Sequence, residues 1–243
     1  MSKISPSETS KIGIGVKMSE RTQSRLDTVL GVILGLSMMA AIYMALIGAP
    51  REKTMGDLQR IFYFHVPIAI TGMTAFAVNF TASLMYVIRK KRWWDHLALS
   101  SAEIGVIFFS IVLITGSIWA KAAWYIWWTW SPRLTTSLAL FLLYVAYLLI
   151  RKYVEDPERR ALVAAVFGII AFMDTPLVFF SIRWWRDHHP SPMLETGGLS
   201  PSMWPAFLVC WAAFLILMIY LLCRRFFLES IRDELERIER QVE

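Results

Sequence analysis

Cysteine is almost absent from this chain: only Cys210 and Cys223 occur, both at or near the last apolar run. Neither sits in a Cys-x-x-Cys-His stretch, so the chain is not itself a covalent c-type cytochrome, and the two thiols read as small hydrophobes. A glycine-rich phosphate loop is missing too, which excludes an ATPase subunit with its own nucleotide site. Charge is scarce, at 18% of residues against 56% hydrophobic, with a mean hydropathy of +0.50. A soluble domain of this length is far more polar, so the balance is that of an integral membrane protein. Histidine is limited to His65, His96, His188 and His189.

What the chain has in quantity is long apolar runs. Six are long enough to cross a bilayer: Thr28–Gly48, Ile61–Ile88, Leu97–Ile118, Leu134–Ile150, Ala161–Ser181 and Pro205–Cys223. They predict an all-α integral membrane protein with six transmembrane helices. Residues 1–27 form a polar N-terminal extension expected to be disordered, residues 28–223 the six-span membrane domain, and residues 224–243 a tail. In that tail Leu228, Ile231, Leu235, Ile238 and Val242 recur at helical spacing, which predicts an amphipathic helix.

Six spans place both termini on one side. The segments on that side carry eighteen Lys and Arg and those on the other carry seven, so the positive-inside rule puts the termini in the cytoplasm. His96, beside the Arg-Lys-Lys-Arg run at 89–92, is then a solvated cytoplasmic residue. Eight of eleven tryptophans fall on the opposite, outward side: Trp119, Trp124, Trp127, Trp128 and Trp130 in one stretch, with Trp184, Trp185 and Trp204. One or two indoles anchor a membrane border; five within twelve residues also suit a large planar apolar ligand.

His65, in Arg60-Ile-Phe-Tyr-Phe-His-Val-Pro67, lies about one turn inside an apolar span. An ionisable side chain there is costly without a partner, which makes it a functional candidate; the alternative is a neutral histidine hydrogen-bonded between helices. His188 and His189 follow Trp184-Trp185 in a proline-broken loop, where surface placement and ligation are both open. Asp174 and Glu103 sit inside spans five and three, lining a pathway or pairing between helices. Taken together, two distant histidines, the indoles and the cations Arg60, Lys121, Arg133 and Arg183 suit haem: imidazole for iron, indole faces for the porphyrin, guanidinium for propionates.

The motifs Arg60-Ile-x-Tyr-x-His-Val-Pro67, Thr115-Gly-Ser-x-Trp119, Trp127-Trp-x-Trp130 with Arg133-Leu-Thr135, and Trp184-Trp-x-x-x-His189 occur in this order. In them the chain resembles the cytochrome c maturation protein C (CcmC, haem exporter protein C) family, over spans one to six. The resemblance implies a multi-pass protein of the inner membrane that binds haem b at its outer face, a binding and transfer function rather than turnover. It implies His65 and His189 as axial ligands of the haem iron, with Trp119, Trp124, Trp127, Trp128, Trp130, Arg60 and Arg133 as further haem contacts. The implied partners are the haem chaperone CcmE, the ABC transporter subunits CcmA and CcmB, the small protein CcmD and membrane lipid, with no nucleic acid. Two positions depart from the family pattern: Ser131 replaces an aspartate after the last tryptophan, and Ala120 replaces a glycine after Trp119. A haem lyase component, a permease for haem or another solute, and a membrane-bound b-type cytochrome remain rival readings.

Overall fold

A computed structural model describes residues 20–185 and 199–242. The expected spans all appear as helices: α1 (Glu20–Tyr43), running into a π-helical turn at Met44–Gly48, then α2 (Phe62–Arg89), α3 (Arg92–Trp124) and α4 (Pro132–Tyr153). Span five is two helices, α5 (Pro157–Phe172) and α6 (Asp174–Trp184), and α7 covers Trp204–Val242. Among the described residues six helical stretches are long and apolar enough to cross a membrane, from Asp27–Gly48 to Pro201–Gln241. The chain is an all-α membrane protein. Its first compact unit, Met1–Ile33, contributes the start of α1, which begins at Glu20, inside the segment expected to be an extension. The second unit, Leu34–Glu243, holds the bundle.

Helix ends follow local chemistry. Lys90 takes a left-handed conformation (φ 55°) that closes α2, its amide donating to the Tyr86 carbonyl at 2.8 Å, and α3 starts two residues later. Asp156 caps α5 by accepting from the Arg159 amide at 2.7 Å, with Pro157 at the first helical position. The break in span five has a single cause. Pro176 has no N–H to give the Phe172 carbonyl, and the chain turns at Met173, whose amide bonds Ile170 instead at 3.0 Å.

The centre of the bundle is the α2–α3 pair, against which α4, α5 and α7 pack. Glycine allows the close approach: a Cβ at Gly105 would stand 2.3 Å from Cε1 of Phe76. Phe76 cannot retreat, because its other face stacks on Tyr144 with ring centroids 3.7 Å apart. Gly105→Ala is therefore expected to cost about 1–3 kcal/mol through overpacking. A thermal-unfolding scan in detergent reads this directly, and an unshifted midpoint would show that the contact relaxes freely.

At the end where α7 runs past the bundle, polar groups join the helices. Asp95 on α3 and Arg151 on α4 form a buried two-point ion pair at 2.5 and 3.0 Å. Glu103 receives Arg225 of α7 at 2.5 and 3.0 Å, so this acid is an interhelical partner. His96 is not solvated: it is 7% exposed, with Nδ1 3.3 Å from the Ser230 hydroxyl and Nε2 3.4 Å from Asp233. Asp233 also pairs with Arg92 at 2.9 Å. The predicted tail stripe is continuous with span six on α7, and these ion pairs fasten its polar face to α3.

Candidate functional site

At the other end, α2, α3, α4 and α6 surround a cavity of about 640 Å³, a volume typical of small-molecule and cofactor sites. Its walls are mostly apolar, and the polar groups in them are few.

His65 reaches the cavity from the first turn of α2. Its Nδ1 lies 2.9 Å from the Thr115 hydroxyl on α3, and Gly116 leaves room for the ring: a Cβ there would be 3.0 Å from His65 Cε1. Along the same face of α3, Ser117, Trp119, Ala120 and Trp124 complete that wall. The Ala120 methyl is buried at the wall.

The tryptophan stretch folds around two unusual backbone positions. Tyr125 (φ 64°) ends α3 in the left-handed region, its amide bonded to the Lys121 carbonyl at 3.1 Å. Lys121 Nζ in turn donates to the Tyr125 carbonyl at 3.0 Å. Trp130 is also left-handed (φ 54°), a conformation that costs a residue with a Cβ about 1–2 kcal/mol. Between these bends the indoles divide. Trp119, Trp124 and Trp128 line the cavity, whereas Trp127 and Trp130 lie outside the lining, 57% and 68% exposed. Trp119 and Trp124 meet edge to face, centroids 5.0 Å apart.

Ser131 is the residue that caps α4, ahead of Pro132 at the first helical position. Its hydroxyl makes no capping bond here.

The cations also divide. Arg133, in the first turn of α4, lines the cavity and donates to the Val178 carbonyl of α6 at 2.5 Å. Arg183 lines it from α6, its guanidinium 5.6 Å from the ring centres of both Phe179 and Phe180. Arg60 is not part of the lining; it bonds Asp57 at 3.1 Å and the Ala45 carbonyl in the π-helical turn at 3.0 Å. In the sequence Arg183 is one cation among several on the outward side; its place on α6, seven residues after Pro176, is what brings it to the cavity. His189 and His188 lie outside the described residues.

The cavity lining also includes Met55 and Gln59. Met55 is held by a turn in which the Glu52 carboxylate accepts from the amides of Met55 and of Thr54, the latter at 2.6 Å. Those amide bonds, that of Met55 first, keep the Glu52 carboxyl below its ordinary range. Deeper in, Thr175 follows the break in span five, while Asp174, the other intramembrane acid, lies beside it. Trp128 Nε1 and Thr175 Oγ1 are buried on the wall without a hydrogen-bond partner among the described residues. Such orphaned groups suit a ligand that brings polar atoms of its own. No group of three or more His, Cys, Asp or Glu gathers as a metal site among the described residues. One imidazole in an aromatic cavity matches axial ligation of a metal carried by a planar macrocycle better than a bare-ion centre.

Six helical stretches long and apolar enough to cross a membrane, four of which bound a cavity with three indoles, one imidazole and two guanidinium groups in its wall, define a polytopic membrane protein with a mostly apolar cavity of cofactor size. The family model described as Heme exporter protein C matches residues 15–241, and the chain belongs to that family. The match takes in the tail helix and part of the N-terminal segment, further than the motifs alone reach. Heme exporter protein C of Bradyrhizobium diazoefficiens is 33% identical over 192 residues, covering 78% of this chain and 71% of that protein. The Haemophilus influenzae protein of the same name is 32% identical over 213 residues, 85% of this chain and 83% of its own. A Marchantia polymorpha protein named as a putative cytochrome c biosynthesis ccmC-like mitochondrial protein is 31% identical over 158 residues, 65% of this chain and 67% of that one.

Proposed function

We propose that this chain holds haem b in the cavity at the outer face of the cytoplasmic membrane and delivers it to the haem chaperone CcmE during cytochrome c maturation. The observation that carries the reading is the convergence of His65, three indoles, Arg133 and Arg183 on one apolar cavity. His65 would ligate the iron, with His189 supplying the second imidazole. Trp119, Trp124 and Trp128 would cover the porphyrin, and the two arginines would meet its propionates. The eighteen-to-seven bias of Lys and Arg supports an outward cavity. CcmA, CcmB and CcmD are the partners this reading implies.

Covalent attachment would join a haem vinyl group to a histidine of the acceptor; this chain supplies binding and orientation. The exposed pair Trp127 and Trp130 would then contact the acceptor rather than grip the haem, and Arg60 would hold the rim through Ala45.

The test separates the two sets of indoles. Haem-loaded protein is mixed with the soluble domain of CcmE, and covalent haem on the acceptor is followed with time. Trp124→Ala is expected to lower the haem bound at the outset. A Trp127→Ala/Trp130→Ala variant should keep its haem and transfer it several-fold more slowly. Equal haem loss in both would remove the division of roles, and no transfer by the unaltered protein would remove the delivery function.

A further inference from the structure

Beside the main cavity lies a second, smaller space that the reading above does not use. It holds about 260 Å³ and is lined by Thr74, Ala77, Val78, Thr81 and Ala82 of α2 with Trp94 and Leu97 of α3. The α2 residues recur at helical spacing, so they form one face, and from Thr74 to Ala82 that face runs about 12 Å. Its two hydroxyls are already engaged: Thr74 donates to the Ile70 carbonyl and Thr81 to the Ala77 carbonyl, each at 2.9 Å. The groove therefore asks nothing polar of an occupant. A helix is about 10 Å across, and 12 Å of one fills roughly 900 Å³, several times this space. A single hydrocarbon chain is the better match.

The turn from α2 to α3 supplies charge. Arg89, Lys90 and Lys91 follow one another there, all exposed, and none carries an ion pair to a described residue. Arg92, next in line, is satisfied by Asp233 at 2.9 Å. Trp94 comes two residues later, so the α3 wall of the groove begins within one helical turn of these cations. Trp93 and Trp94 stand edge to face, centroids 4.5 Å apart, and indoles settle at headgroup depth.

We propose that this groove binds one acyl chain of an anionic phospholipid, whose phosphate and headgroup are held by Arg89, Lys90 and Lys91. Basic clusters at the ends of membrane helices recognise anionic lipids in this way. Charge selects the headgroup: a zwitterionic lipid brings an ammonium that three cations repel, whereas a net anionic one does not. With its head at the turn, the chain runs along α2 toward Thr74. Thr74 and Ala77 line the main cavity as well as the groove, so the far end of the lipid chain abuts the cavity wall. The proposal is independent of the haem reading.

The test uses the full-length chain, purified in detergent and stripped of lipid. It is titrated with phosphatidylglycerol or with phosphatidylcholine of identical chains, and bound lipid is counted by native mass spectrometry. The expected result is one tightly held phosphatidylglycerol per protein, with affinity about tenfold or more above that for phosphatidylcholine. The triple variant Arg89→Gln/Lys90→Gln/Lys91→Gln should lose that preference. Thr81→Trp, which puts an indole into the groove from an exposed position, should lose the tight site, and Thr81→Ser should keep it. Melting midpoints of the same preparations report the fold; should Thr81→Trp not fold, the triple variant decides. Equal affinity of the unaltered protein for the two lipids would overturn the proposal, as would an undiminished preference in the triple variant or undiminished binding in a folded Thr81→Trp. A photoreactive group placed at Thr81 in native membranes should label lipid. Labelling of a second copy of the chain or of another polypeptide in its place would also overturn it.

Discussion

Replacing His65 by alanine is expected to leave the purified protein with a small fraction of its haem. The imidazole is the one histidine in the cavity wall among the described residues. Indole stacking and propionate pairing remain in the variant, so some weak binding should persist. The loss should amount to tenfold or more in hemin affinity, the lower bound being the effect of disturbing even an outer contact of a metal ligand. The fold should survive: His65 borders the cavity, so truncation enlarges an existing space and forfeits the ring's contacts with Thr115 and Gly116 on α3. Haem content and the melting midpoint of the same preparations distinguish these effects. Unchanged haem with a normal midpoint would remove His65 as a ligand.

The second large effect lies at the opposite end of the bundle. Asp95 and Arg151 form a two-point ion pair, with side chains 5% and 6% exposed. Arg151→Met alone would leave the Asp95 carboxylate buried without its counter-charge, which costs about 3–5 kcal/mol. Asp95→Leu combined with Arg151→Met removes both charges together, and such a replacement is often neutral or stabilising. The expected result is a steep fall in melting midpoint and membrane yield for the single variant and recovery in the double one. Equal loss in both would mean that shape rather than charge holds α3 to α4. Hemin affinity of the folded double variant should be unchanged, because neither residue lines the cavity.

The spans were legible because a bilayer imposes a length and a polarity on any helix that crosses it. The site was legible in its chemistry and less so in its assignments. Trp127 and Trp130 are indistinguishable from Trp128 by composition; the left-handed turns at Tyr125 and Trp130 decide which indoles line the cavity. Arg60 and Arg183 differ in the same way, since the first is drawn to the Ala45 carbonyl by the π-helical end of span one. His96 illustrates the limit of local pattern. Surrounded in sequence by cations, it is buried by Ser230 and Asp233, more than a hundred residues away on α7. Thr115 carried no signal by itself, since a threonine in a membrane helix usually bonds its own backbone, as this one also does. Only the fold shows that its oxygen faces an imidazole.

The most direct measurement is an absorption titration of the purified chain with hemin, comparing the unaltered protein with Leu134→Trp, which narrows the cavity from α4. The account predicts a saturable Soret band at one haem per chain in the unaltered protein and a weakened or absent band in the narrowed variant. A protein that stays colourless in excess hemin, or a variant that colours as fully as the original, would contradict the claim that haem occupies this cavity.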